Sequence, residues 1–295
     1  LQRVIVLDDV RKRLIHLHHC DGIGWKTIYQ LLKIDSTLKF LNDSNELLKS
    51  SPLKLPNHFV DNFQNIDIEE KLKTYNNHGI KIITIMDKEY PPLLKQIFEP
   101  PWVLYLKGNI NLLHNRKKIA VVGSRTPTDY GRQCTNYFVT ELVKNGYTII
   151  SGLARGIDSH AHITAIKTNG HTIAVLGSGF AHIYPKEHTS LANLIGENHL
   201  LVSEYPPMRR PAKMNFPARN RIISGLSQAV LVVEAKEKSG SLITAQFALN
   251  EGRDVYSVPG SIFSEWSKGT NQLIQDGAKP VISIDDILEE LQIFE

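Results

Sequence analysis

Asn215–Leu226 reads NFPARNRIISGL and sets one aromatic ring, Phe216, beside Arg219, Asn220 and Arg221, with Lys213 just ahead and a run of helical pattern following. A ring face next to guanidinium groups and helix N–H donors suits a flexible chain of bases and phosphates. The ring stacks on a base whatever its identity, and the cations make charge-assisted hydrogen bonds to phosphate. The stretch therefore points to single-stranded nucleic acid. Two plainer readings stand beside it: Phe216 as a core aromatic filling space beneath its loop, and the arginines as ion-pair partners.

Glycine-rich turns elsewhere carry the same chemistry. In Gly123-Ser124-Arg125 the glycine permits close backbone approach, the serine offers a hydroxyl, and the arginine offers a planar fork for phosphate. Gly152 and Gly156 bound a turn that opens a helix at Ile157, whose free N–H groups and dipole favour an anion. Gly177-Ser178-Gly179 is followed by Tyr184-Pro185-Lys186, and Ser239-Gly240-Ser241 caps a further helix with Lys236 and Lys238 alongside. Any one such turn is weak; their joint appearance on one sheet edge is the stronger signal. Gly22-Ile23-Gly24, with Lys26 close by, resembles a helix-hairpin-helix turn, which either approaches a phosphate or merely closes a helical hairpin.

Catalytic patterns are poorly supported. The chain has no Gly-Lys-Ser/Thr phosphate loop, and His182 stands where a dinucleotide fingerprint needs its third glycine. Asp158 and His162 share a helix face at metal-ligand spacing without a second pair to complete a site. The helix from Leu242 has no carboxylate before Glu251, which removes the acid a nucleoside-phosphate hydrolase would use there. Glu204 and Glu234, at strand ends, remain candidates for acids, for acceptors of loop N–H groups, or for partners of Arg219 or Arg221. A small-nucleotide enzyme or sensor is the competing class.

These loops need a frame to align them, and from Lys118 onward the sequence predicts one. Strand patterns at 119–122, 148–150, Thr172–Leu176, Leu200–Ser203, 230–233, Asp254–Ser257 and 280–283 alternate with helical patterns at 132–144, Ile157–Lys167, 191–195, 242–250 and 271–275. Gly146, Gly170, Gly252 and Gly277 are placed to end helices. The alternation predicts an α/β fold, a Rossmann-like sheet rich in parallel strands, in which ligands collect beyond the carboxyl ends of the strands. KIITIM and WVLYLKG read as two earlier strands. Residues 9–50 predict short helices, and residues 57–78 read as a polar connector. The expected division is a small N-terminal helical module with its connector at 1–78 and the α/β domain at 79–295.

Composition narrows the class. At 295 residues the chain suits two domains, and no apolar run is long enough to span a bilayer. A net charge of +4 permits a polyanionic partner without requiring one. Cys20 and Cys134 are the only cysteines and lie far apart, which suggests neither a zinc cluster nor a disulfide framework and fits a reducing cytoplasm. The chain starts at Leu1 without a signal-like succession, and residues upstream of it are expected.

The loops in order resemble the DprA/Smf family of bacterial DNA-processing proteins. The resemblance rests on VVGSRTPTDYG (121–131), SGLARGIDSHAH (151–162), GSGFAHIYPKEH (177–188), SEYPP (203–207), NFPARNRIISGLS (215–227), SGSLITAQFAL (239–249), GRDVYSVPGS (252–261) and GTNQLIQDGAK (269–279), with YPPLL and the LYLKG segment as lead-in. It implies a cytoplasmic, dimeric protein and no catalysis; no cofactor or metal is expected. Such a protein binds and protects single-stranded DNA during natural transformation and recombination and loads a RecA recombinase, with single-strand-binding protein displaced or cooperating. It also implies that Arg125, Lys186, Lys213, Phe216, Arg219 and Asn220 contact DNA, that the N-terminal module is SAM-like, and that dimers pair through 271–288. Some members add a C-terminal winged-helix domain; the present sequence ends at Glu295, shortly after a helical pattern at 285–291.

Overall fold

The computed structural model describes residues 2–41 and 55–292. The chain divides into two compact units, Leu1–Tyr90 with Glu99–Tyr105, and Pro91–Phe98 with Leu106–Glu295.

The first unit opens with helices α1 (Gln2–His19) and α2 (Trp25–Ile34). The break between them falls at the glycines the sequence marks: Gly22 has φ +78°, and a side chain there would meet the Pro56 ring at 2.8 Å. The part of the expected helical region at 42–50 lies outside the described residues. The polar connector expected at 57–78 is instead two helices, α3 (Phe59–Asn65) and α4 (Ile68–Asn77). Its apolar residues are few but spaced for one face, and Phe59, Phe63, Ile68 and Tyr75 are all buried. Asp67 caps α4 by accepting the Glu70 N–H, so the polar residues that suggested a loop are helix-start signals. Strand β1 (Ile80–Thr84) follows, then the four-residue helix α5 (Pro92–Lys95), which belongs to the second unit. Strand β2 (Val103–Gly108) changes unit after Tyr105.

In the second unit the chain runs through β3 (Lys118–Val122), α6 (Asp129–Lys144), β4 (Thr148–Ser151), α7 (Ile157–Lys167), β5 (Thr172–Leu176), α8 (Thr189–Asn198) and β6 (Leu200–Ser203). It continues through α9 (Asn215–Leu226), β7 (Ala229–Val232), α10 (Gly240–Asn250), β8 (Asp254–Ser257), α11 (Lys268–Gln275), β9 (Lys279–Pro280) and α12 (Asp285–Gln292). These strands lie side by side in the order β6-β5-β4-β3-β7-β8-β9, every pairing parallel. The expected parallel-rich α/β architecture is thus present. Strands β3 to β7 are buried at every position, which is why they read as unbroken apolar runs. Ile119, Val121, Phe138, Val139, Leu142, Ile149 and Leu231 pack into one apolar cluster, and Leu153, Ala174, Leu176, Ile195 and Leu201 into another.

Strand β3 pairs with β4 on one side and β7 on the other, with Val122 opposite Val232. The chain leaves β3 toward β4 and returns to β3's other flank only after β6, so the order reverses here and a crevice opens above the ends of β3 and β7.

Two local expectations are corrected. The strand expected at 280–283 stops at Pro280, because Asp286 takes the N–H groups of Ile282 and Ser283 out of the ladder. Gly170 does not supply the left-handed residue after α7; Asn169 does, at φ +58°. Gly170 is needed because the Val143 side chain lies 2.5 Å from where its Cβ would sit. No helix among the described residues is long and apolar enough to cross a membrane.

His162, on α7, is fully buried; its Nδ1 meets the Thr172 hydroxyl at 2.6 Å and its Nε2 has no partner. Burial pushes its pKa down to about 3. The unfolded chain therefore takes up this proton first as pH falls, so the contribution to stability is complete above about pH 6.5 and is lost progressively toward pH 3. Thermal midpoints of wild type and His162→Gln, followed from about pH 7 to pH 4, should show a shallower decline in the variant; parallel curves would contradict this origin of acid sensitivity.

Candidate nucleic-acid interface

The crevice above β3 and β7 holds a cleft of about 480 Å³. Its walls are the turn after β3 (Gly123, Ser124, Arg125), the first turns of α9 (Phe216, Arg219, Asn220), and the turn into α10 (Lys236, Lys238, Ser239, Gly240). A smaller hollow of about 80 Å³ adjoins it, lined by Gly152, Arg155, Tyr184 and Pro185, and shares Arg125, Ala154, Phe216 and Arg219 with the first.

Phe216 lies in the first turn of α9 rather than ahead of a helix, and it is half-buried. One edge of its ring packs where Gly177 has no side chain, 2.8 Å from the position a Cβ would take. Tyr184 leans on it with ring centroids 5.2 Å apart and planes at 46°. Tyr184 is 55% exposed, so the pair offers an aromatic surface to solvent between the two hollows. The sequence reading named Tyr184 only as part of a loop; a ring two residues ahead of Lys186 was the signal for a second stacking group.

Arg219 was expected to reach phosphate and does something else. It is 5% exposed, and its Nη1 donates to the carbonyls of Gly152, at 2.6 Å, and Val175. Asp158 faces it across Gly152, accepting the N–H groups of Gly152 at 3.1 Å and Ala154 at 3.4 Å. Burial lowers the Arg219 pKa to about 10 and Asp158 pulls it back, so the guanidinium stays charged at neutral pH. Burial raises the pKa of Asp158, against the pull of Arg219 and the two amides. The position at the start of α7 where an anionic ligand was expected is therefore occupied by the protein's own carboxylate, and Gly152 gives its amide to it. Gly156, at φ +77°, allows the Ser124 carbonyl and the Arg125 backbone to pass close by. Arg221 is buried and paired with Glu204 through two bonds of 2.9 and 2.6 Å. Glu204 is thus an ion-pair partner, one of the roles left open for it.

Glu234 also resolves as an acceptor. It is 2% exposed and takes the N–H and hydroxyl of Thr128, the cap of α6. Gly131 leaves room for its carboxylate. This clamp ties the end of β7 to the turn after β3. Within that turn Gly123 has Ile157 and the Glu234 carbonyl against its Cα, and Ser124 is buried with its hydroxyl on the Thr126 N–H. Arg125 alone of the three sends an exposed side chain into both hollows.

The glycine loop at 177–179 is likewise spoken for: Gly179 donates to the Arg209 carbonyl at 2.9 Å, and the Pro206 and Pro207 carbonyls crowd its Cα. The opening of α10 differs. Ser239 caps it, Gly240 has open space where a side chain would be, Asn220 holds the Gly240 carbonyl at 3.2 Å, and Lys236 and Lys238 are exposed beside it. Lys236 also pairs with Glu265 at 3.0 Å and lies over Trp266. Lys186 and Lys213 are exposed and line neither hollow. In the turn carrying Lys186, the exposed side chains of Arg155 and Glu187 pair through bonds of 2.6 and 2.7 Å.

The expected residues thus separate. Gly123, Ser124, Arg125, Phe216, Arg219, Asn220, Ser239 and Gly240 converge on the large cleft, Gly152 on the small hollow, and Gly156, Lys186, Lys213 and Arg221 on neither.

Residues 81–292 match the family model described as DNA recombination-mediator protein A. The chain belongs to this family. It is 51% identical over 220 residues to DNA processing protein DprA of Bacillus subtilis, covering 75% of this chain and 74% of that protein. The structure of DNA processing protein A from Streptococcus pneumoniae superposes with a TM-score of 0.84 at 38% identity, over 95% of this chain and 97% of that one. DNA processing protein A from Helicobacter pylori, a protein described for its single-stranded DNA binding mode, superposes with a TM-score of 0.66 at 32% identity, over 72% and 95% of the two chains. The DprA/Smf resemblance read from the motifs is borne out.

In this DprA-family chain, removing the Arg219 guanidinium leaves Asp158 buried and uncompensated, an arrangement that costs about 3–5 kcal/mol. Arg219→Ala should lose that much in urea unfolding, and adding Asp158→Asn should recover part of it. A loss below about 1 kcal/mol, the size of an ordinary surface change, would contradict the role given to this pair.

Proposed function

We propose that the protein binds single-stranded DNA across the cleft, with a base stacked on Phe216 and Tyr184 and the flanking phosphates held by cations, and that it hands the strand to a RecA-type recombinase. The pair of half-buried Phe216 and exposed Tyr184 beside Arg125, above the reversal in strand order, carries this reading. The single-strand binding mode described for the Helicobacter pylori relative supports it.

Roles divide by exposure. Arg125, Lys186 and Lys213 neutralise phosphates, Phe216 stacks, and Asn220 with the open amide end of α10 at Ser239 and Gly240 receives a further phosphate. Gly123, Ser124, Gly152, Gly156, Arg219 and Arg221 hold the loops in place. Stacking needs only a π-face and phosphate contacts read no bases, so binding tolerates any sequence. The function is binding without chemistry: Asp158, the carboxylate lining the cleft, is buried and committed to two amides and an arginine.

The same reading includes protection of incoming DNA during transformation, exchange with single-strand-binding protein, and action in the cytoplasm. It also includes a homodimer through residues 271–288, where Ile282 is 82% exposed just past the short edge strand β9. In this reading the helical module at 1–78 accompanies a DNA-binding domain at 79–295 in the same chain.

In a salt titration with an oligothymidylate, Arg125→Ala should lower affinity and reduce the slope of log K against log salt by about 0.7, the value for one phosphate contact on a single strand. Phe216→Ala should cost about 1–3 kcal/mol of binding while Phe216→Tyr retains it. Unchanged binding in Arg125→Ala and Phe216→Ala would remove this site. Tighter binding of AMP than of the oligonucleotide would favour the small-nucleotide reading, to which the size of the cleft is suited.

A further inference from the structure

From Tyr205 to Ala218 the chain carries Arg209, Arg210 and Lys213 and no carboxylate. Every residue from 208 to 214 is exposed, including Met208 at 67% and Met214 at 77%. Such a surface is usually a mobile, solvated loop, yet here the backbone is fastened at both ends. Gly179 and Ala181 donate to the carbonyls of Arg209 and Pro207, both at 2.9 Å, and the Arg209 N–H returns to Pro206 at 2.8 Å. At the other end the Asn215 N–H closes a turn on Ala212 at 3.0 Å. Only a glycine at 179 lets the loop come so near, since a Cβ there would sit 2.2 Å from the Pro206 carbonyl oxygen. Pro206, Pro207 and Pro211 remove further freedom. The segment then enters α9 directly, and the second residue of that helix is Phe216.

We propose that residues 208–214 form an outer stretch of the strand-binding path, in which Arg209 and Arg210 contact phosphates of nucleotides beyond the base stacked on Phe216. This rests on the single-strand reading above and extends it. The occupant is the continuation of the same strand, for two reasons. The segment is continuous with the aromatic site, and its charge is of one sign and complementary to phosphate. A backbone already held in place lowers the ordering cost of each contact. Met208 and Met214 supply flexible, polarizable thioethers that adapt to sugar edges and base faces without selecting a sequence.

The test uses the full chain and oligothymidylates of about four and about twenty nucleotides, lengths that bracket the span of a compact single-strand site. With the long oligonucleotide, Arg209→Ala/Arg210→Ala should weaken binding and reduce the salt slope by about 1.4, two contacts at about 0.7 each. Binding of the short oligonucleotide should not change, and Arg209→Lys/Arg210→Lys should keep the wild-type slope. An unaltered slope on the long strand overturns the proposal. So does an equal loss on both lengths, which would place the effect in the folding of the inner cleft. Wild-type protein that binds neither strand would sink the underlying reading as well, whereas wild-type binding with an unaltered variant rejects this extension alone.

Discussion

The binding edge of this molecule depends on a guanidinium that faces inward. Arg219 reaches from α9 to the carbonyls ending β4 and β5 and faces the carboxylate at the start of α7, so one side chain fixes the relative positions of two strands and two helices. A buried charge pair of this kind adds little net stability against an apolar alternative, but it penalises every arrangement that separates its members. What it specifies is the seat of the first turn of α9. That seat puts the Phe216 ring against Gly177 and in reach of Tyr184, and leaves Arg125 as the exposed cation between two hollows.

The glycines serve the same end. Gly123, Gly152, Gly156, Gly177 and Gly179 each have protein atoms within 3 Å of where a side chain would begin, so they allow loops to pack on one another rather than inviting a ligand onto bare backbone. The amides of Gly152, Ala154, Gly179 and Ala181 are already paired within the protein. Affinity for a polyanion must then come from side chains standing on this rigid rim, with the end of α10 as the place where helix N–H groups meet open space. Polyanion binding that relies on side-chain cations is steeply salt-dependent and indifferent to sequence.

Much of this was legible in the sequence because each feature had a local cause. The buried parallel strands leave apolar runs, Thr172–Leu176, Leu200–Ser203 and Asp254–Ser257 fall where the pattern put them, and the loops on one rim follow from the alternation. The failures at the site share a physical origin in long-range pairing. Arg219 and Arg125 look alike in a sequence, and what separates them is Asp158, sixty-odd positions upstream, which buries one and not the other. The helices at 59–77 are hard to read from the sequence because a short amphipathic face needs few apolar residues once a tertiary surface receives it, and Phe59, Phe63, Ile68 and Tyr75 suffice in a largely polar stretch. Tyr184 joins Phe216 only when a distant loop meets the first turn of α9, and no periodicity announces that.

The central claim is that an unpaired strand lies over Phe216 and Tyr184 with its phosphates beside Arg125. A photo-crosslinking map with an oligothymidylate carrying a halogenated uracil tests this most directly, since such bases couple to aromatic rings they stack on. The account predicts adducts on peptides containing Phe216 or Tyr184, lost in the presence of excess unlabelled strand. Adducts confined to surfaces remote from both rings, with these peptides unmodified, would contradict it.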